Sequence, residues 1–111
     1  MDILYADGSI ARLCQDLRYA QRKLGEPSAK KLRTRLDDLR AAGALGVMEK
    51  LPGRFHRLER DLAGCYALDL HGGCRLVLRP AHDPLPRRPD GSADLTKITA
   101  VVIEKIGDYH D

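Results

Sequence analysis

The chain has 111 residues, 43% hydrophobic and 32% charged, with a formal net charge of +3. That composition suits one packed domain spanning residues 1–111 and argues against wholesale disorder. No apolar run approaches the roughly 20 residues of a membrane span, and Met1–Leu4 lacks the basic start and apolar run of a signal peptide, so a cytoplasmic protein with no membrane partner is expected. Ile3-Leu4-Tyr5 reads as a short strand, and Asp7-Gly8-Ser9 as a turn whose Ser9 caps a helix. Ile10, Leu13, Cys14, Leu17, Ala20 and Leu24 then fall on one helical stripe. Gly25 stops that helix, Pro27 suits the first turn of the next, and Ala29, Leu32, Leu36 and Leu39 form its apolar side until Gly43 and Gly46. Two amphipathic helices with so short a link are expected to form an antiparallel hairpin.

After Pro52-Gly53 the period changes from 3.6 to 2. Residues 54–59, 66–70 and 74–79 have strand length, and His71-Gly72-Gly73 is a tight hairpin turn between the last two. Residues 98–106 are β-branched and apolar on both faces at their centre, which suits an interior strand. Between residues 80 and 94 stand four of the six prolines, Pro80, Pro84, Pro86 and Pro89, so a long, mobile hairpin loop is expected there. The order β-α-α-β-β-β argues an α+β fold, with the helical hairpin on one face of an antiparallel sheet. The other face would carry Arg75 and Arg79 and would be open to an RNA strand.

Charge is uneven. Residues 1–40 hold nine Lys/Arg against six Asp/Glu, and the remainder is balanced at ten each. The run Lys30–Arg35 reads as the wet side of a helix or as a contact to ribosomal RNA phosphates, and both readings stay open. Cys14, Cys65 and Cys74 are an odd number without regular spacing, so reduced thiols are expected. Cys65, His71 and Cys74 match no zinc template, and no metal or other cofactor is expected.

Three segments in order carry a resemblance. Residues 51–70, which include His56-Arg57-Leu58-Glu59-Arg60-Asp61, resemble the central segment of the HigB toxins, where His-x-Leu-Lys-Gly-Asp leads through Gly to an aromatic residue and a strand. Cys74-Arg75-Leu76-Val77-Leu78 resembles that family's next strand, and Ile106-Gly107-Asp108-Tyr109-His110 resembles its Asp-Tyr-His ending. The chain departs from the pattern at Glu59, where the family commonly has Lys, and at Arg60, where it has Gly.

The resemblance, to a branch of the RelE/ParE superfamily, implies a compact α+β toxin of a type II toxin-antitoxin system that cleaves mRNA on the ribosome. It also implies a helix-turn-helix antitoxin, HigA-like, as partner. Carried over by position, the catalytic residues are His56, Arg75, Asp108, Tyr109 and His110; Arg57, Arg60 and Arg79 are the expected RNA-binding cations. Cleavage without a metal needs a base for the 2′-hydroxyl, an acid for the leaving 5′-oxygen and cations for the crowded phosphate. Histidines suit both proton roles. His56 and His110 would meet if the last strand ran beside residues 54–59. Arg75 offers a planar fork to phosphate, Tyr109 a ring for stacking or a proton relay, and Asp108 a carboxylate to orient an imidazole. Two other functions share this fold: a ParE-like inhibitor of DNA gyrase, which needs no acid-base pair, and an inactive homologue that only binds antitoxin or RNA. His56, Arg75 and His110 together favour the nuclease.

Overall fold

The computed structural model describes residues 1–108. Strand β1 (Asp2–Tyr5) leads into three helices, α1 (Gly8–Gln15), α2 (Leu17–Leu24) and α3 (Glu26–Ala41). Strands β2 (His56–Arg57), β3 (Tyr66–Asp69), β4 (Arg75–Pro80) and β5 (Ala100–Gly107) follow, and the sheet order is β1-β5-β4-β3-β2. All neighbours are antiparallel except β1, which joins the edge parallel to β5 with Ile3 opposite Val101. β5 is thus interior, flanked by β1 and β4, as its β-branched run requires.

The expected first helix is two. Asp16 takes an extended backbone, and its carboxylate accepts from the Tyr19 amide at 3.1 Å, capping α2. A short acidic side chain competes for backbone donors in this way and favours a cap over a helix interior. The break turns Leu17 outward, to 41% exposure. The first cap is Asp7, not Ser9: Asp7 Oδ1 accepts from the Ile10 amide at 2.9 Å, and Ser9 donates its hydroxyl to the same oxygen. Gly25, at φ +84°, separates α2 from α3, whose first turn holds Pro27.

Leu32, Leu36 and Leu39 of α3 pack with Leu68, Leu76, Leu78 and Ile103 of the sheet, and Leu45 and Met48 close the same core. Truncating one such leucine to alanine costs about 2–5 kcal/mol. Arg35 does not share the wet side of α3 with Lys30, Lys31 and Arg33; it is only 8% exposed and points under the sheet.

The second sheet face is less open than expected. The strand expected over residues 54–59 is reduced to two residues. Gly53 (φ +124°) and Arg54 (φ +51°) turn the backbone before it, and Arg60 (φ +54°) turns it after. Residues 58–65 then fold across the sheet, and Leu58, Cys65, Ala67 and Val77 form a second small core under Leu62. The proline-rich segment is held rather than loose. Arg87 bridges Ala93, the Asp94 amide donates to Pro86 O at 2.8 Å, and Leu85, Ala93 and Leu95 pack on the main core.

Candidate functional site

Alternation along the strands decides what reaches the second face. Leu76 and Leu78 point to the helices, so Arg75, Val77 and Arg79 point away; on β3, Asp69 does the same and stands opposite Arg75 across the turn. Asp69 organises the cluster. Its carboxylate receives Arg54 through Nε–Oδ2 at 2.7 Å and Nη2–Oδ1 at 3.2 Å, and Arg75 Nε lies 3.8 Å from Oδ1. Partial burial pushes the Asp69 carboxyl up. The Arg54 hydrogen bond and the charges of Arg54, Arg75 and His56 outweigh it and hold the group below its ordinary value.

His56 joins this cluster from β2. It lies opposite Ala67, whose side chain belongs to the second face. Its Nδ1 is 2.7 Å from the Arg54 carbonyl oxygen. A carbonyl only accepts, so Nδ1 carries the hydrogen and the neutral ring keeps its lone pair on Nε2. The contact fixes both the tautomer and the direction of the ring. The backbone behind it is tied to the helical layer. Arg35 Nε donates to Asp69 O at 3.1 Å, and the Asp69 amide donates to Gly53 O at 2.7 Å. Position 53 must be glycine for this approach, because a Cβ there would stand 2.7 Å from Arg35 Nε.

The other expected residues are placed unequally. Gly107 pairs with Arg75, so β5 ends beside the cluster, and the Asp108 carboxylate lies over Gly73 in the β3–β4 turn. Tyr109 and His110 lie outside the described residues. The last strand does not run beside β2, as a meeting of His56 and His110 on adjacent strands would require. β4 and β3 intervene, and at about 4.8 Å per strand the two axes are roughly 14 Å apart. Arg57 lies opposite Tyr66, on the face away from the Asp69 cluster, and stands 3.7 Å from Glu59. Arg60 sits in a 3₁₀ turn rather than on a strand, and Arg79 is ion-paired with Glu104. The structure therefore brings together His56, Arg75 and the approach to Asp108, and leaves Arg57, Arg60 and Arg79 outside that cluster.

Three residues of the arrangement escape a reading of the sequence: Arg54, Asp69 and Arg35. Asp69 carried a signal, an acid in an alternating strand facing a basic residue across a two-glycine turn. Arg54 and Arg35 carried none, since one depends on a left-handed turn and the other on a helix face turned inward.

A pocket of about 340 Å³ lies at the β2 edge, lined by Glu49, Phe55, His56, Arg57, Tyr66, Ser92, Ala93 and Leu95. Among the described residues no group of three or more His, Cys, Asp or Glu is placed to hold a metal ion. No helix of the described residues is long and apolar enough to cross a membrane.

No family model and no curated protein matches this chain. Among solved structures, the YoeB–YefM complex from Staphylococcus aureus contains a chain similar to this one, with a TM-score of 0.57 and 18% identity over 100% of this chain and 98% of that one. The α+β architecture, helices on a five-stranded mixed sheet, is the fold shared with that chain.

Proposed function

We propose that this chain is the toxin of a type II toxin-antitoxin system and that it is an endoribonuclease of the HigB kind, acting in the cytoplasm on mRNA bound to the ribosome. The observation that carries the reading is His56, its Nδ1 pinned to the Arg54 carbonyl and its ring beside the guanidinium pair that Asp69 gathers. A gyrase inhibitor has no need of a base with a fixed tautomer. In this reading His56 Nε2 takes the proton of a 2′-hydroxyl, and the freed oxygen attacks the adjacent phosphorus. The P–O5′ bond breaks, leaving a 2′,3′-cyclic phosphate and a 5′-hydroxyl end. Arg75, with a side chain 14% exposed and its position set by Asp69, carries the charge that grows on the phosphate oxygens. His110 protonates the leaving oxygen, Tyr109 stacks on a base, and Asp108 orients the chain end from the rigid support of β5.

The fold's likeness to a chain of the YoeB–YefM complex supports a protein partner, and the resemblance to HigB supports a HigA-like helix-turn-helix antitoxin. The test is induction in a bacterial host followed by mapping of new mRNA 5′ ends. Growth arrest with in-frame cuts in translated regions, lost in the His56→Ala variant, supports the reading. Arrest with intact mRNA and stalled gyrase on DNA would overturn it.

A further inference from the structure

Among the described residues, the buried polar side chains are Ser28 and Arg35, and both come from α3. Two helical turns apart, they share one face of the helix. Both reach across the core to the backbone of the β3–β4 hairpin. Arg35 meets the Asp69 carbonyl, whereas Ser28 holds the turn itself. Its hydroxyl donates to His71 O at 3.3 Å and accepts from the His71 amide at 3.2 Å. His71 O also accepts from the Cys74 amide at 3.1 Å, the bond that closes the turn. One side chain thus holds the peptide groups on both sides of His71 and fixes how the turn is rotated against the helices.

The two glycines of that turn answer different needs. Gly72, at φ +61°, is glycine for its backbone, and a Cβ there would meet nothing within 4 Å. Gly73 has no left-handed backbone. A Cβ there would lie 2.8 Å from Asp108 Oδ1, so its missing side chain admits the carboxylate. Arg75, two residues on, pairs with Gly107 at the end of β5. The turn, the start of β4 and Asp108 therefore sit as one unit. We infer that the β3–β4 turn is the seat of the Asp108 carboxylate, and that Ser28 is the positioning residue that sets this seat from the helical layer. The inference rests on the nuclease reading, in which Asp108 orients Tyr109 and His110, and extends it to a residue of α3. Ser28 touches no substrate and acts through Asp108. Without its hydroxyl the turn keeps its closing bond and its strands but loses the tie that fixes its rotation. A displacement of about 1 Å in the groups that orient a reaction is enough to slow it about 10²-fold.

The test pairs kinetics with the NMR resonance of the Asp108 carboxyl carbon, assigned by its loss in Asp108→Asn. In Ser28→Ala, well below its melting temperature, kcat should fall about 10–10²-fold while KM changes less than about threefold, because Arg75 keeps its place. Gly73→Ala adds the excluded Cβ without backbone strain and should lower kcat similarly. Gly72→Asn tolerates the positive φ and enters open space, so it should leave kcat unchanged. The Asp108 resonance should move in Ser28→Ala and Gly73→Ala and stay in Gly72→Asn. A Ser28 that only stabilises the fold would lower the melting temperature and leave kcat and the resonance as in wild type. Either wild-type value in folded Ser28→Ala would overturn the seat. Should Ser28→Ala not fold, an unmoved resonance in Gly73→Ala would do the same. The resonance needs no RNA, so the two readings fail separately. A wild-type protein that cuts no RNA, with the resonance moved in both variants, would remove the nuclease and keep the seat. Wild-type cleavage by Ser28→Ala with the resonance unmoved would do the reverse.

Discussion

The two ends of β4 carry the same residue type on the same face and do different things. Arg75 is 14% exposed and lies at ion-pair distance, 3.8 Å, from Asp69, which also holds Arg54, whose carbonyl holds His56. Arg79 is 51% exposed and meets the carboxylate of Glu104 on the neighbouring strand. Between them, Leu58 and Leu62 cover Ala67 and Val77. The cations of this face do not form one continuous track for RNA. One end is a cluster in which an acid, a base and two guanidinium groups share partners; the other is a surface ion pair. A cation counts toward a site through what its counter-charge also touches, and strand alternation alone does not reveal that.

The comparison breaks first at His56. With His56 as the base, His56→Ala should lower RNA cleavage about 10²–10⁴-fold with an unchanged fold. Truncation after Asp108 removes Tyr109 and His110 and is expected to be as severe, while antitoxin binding and melting temperature stay near wild type. Purified truncated protein that still cuts mRNA at the wild-type rate would take the chain end out of the mechanism and leave the Asp69 cluster to act alone.

The two arginines sharpen it next. Arg75→Ala should cost about 10²–10³-fold in cleavage, the loss typical of one preorganised donor to a developing anion. Arg79→Ala should change the rate no more than a few-fold, since it breaks only an exposed pair. Single-turnover cleavage of one RNA by both variants is the measurement, and equal losses would restore the continuous cationic face that the sequence suggested.

Much of this was legible in the sequence because it is local. The β3–β4 hairpin follows from His71-Gly72-Gly73 between alternating segments, and the interior place of β5 from its two-sided apolar centre. What stayed hidden depends on where the chain departs from regular structure. The alternation of residues 54–59 reads as one strand, but nothing in it states that Arg54 and Arg60 adopt positive φ and leave only His56 and Arg57 paired. The break at Asp16 is invisible to periodicity because the apolar stripe continues across it. The neighbours of the last strand are a matter of topology. A β-β-β run allows β5 to close on β2 or to pass between β4 and β1, and the second outcome separates His56 from the chain end by two strands.

Arg35 tests whether the Asp69 end owes its precision to the helical layer. The side chain is 8% exposed, and its Nε is the donor that meets Asp69 O. Arg35→Met keeps much of the packing and leaves that carbonyl without its charged donor. The expected loss is about 1–3 kcal/mol of stability by urea unfolding, together with a fall in kcat larger than the change in KM. A variant as stable as wild type and fully active would make Arg35 an incidental buried cation.

The smallest effect is the titration of Asp69. Its folded carboxyl lies below the ordinary value, so it binds protons less readily folded than unfolded. The stabilisation it gives is therefore complete above the unfolded value of about 3.9 and is lost as pH falls through the lower folded one. Asp7, Asp90 and Asp94 are also held low, by hydrogen bonds within their own turns, so acid weakens the protein at several places and the wild-type profile alone does not isolate Asp69. The difference between wild type and Asp69→Asn does. Asparagine keeps the shape and an acceptor oxygen but carries no charge to hold Arg54 and Arg75. The melting temperatures of the two proteins should differ at pH 7 and converge as pH falls below about 4. A difference constant from pH 7 to pH 3 would mean that Asp69 holds the two arginines by shape and hydrogen bonding alone, and that the cluster at this end of β4 is no more electrostatic than the Arg79 pair at the other.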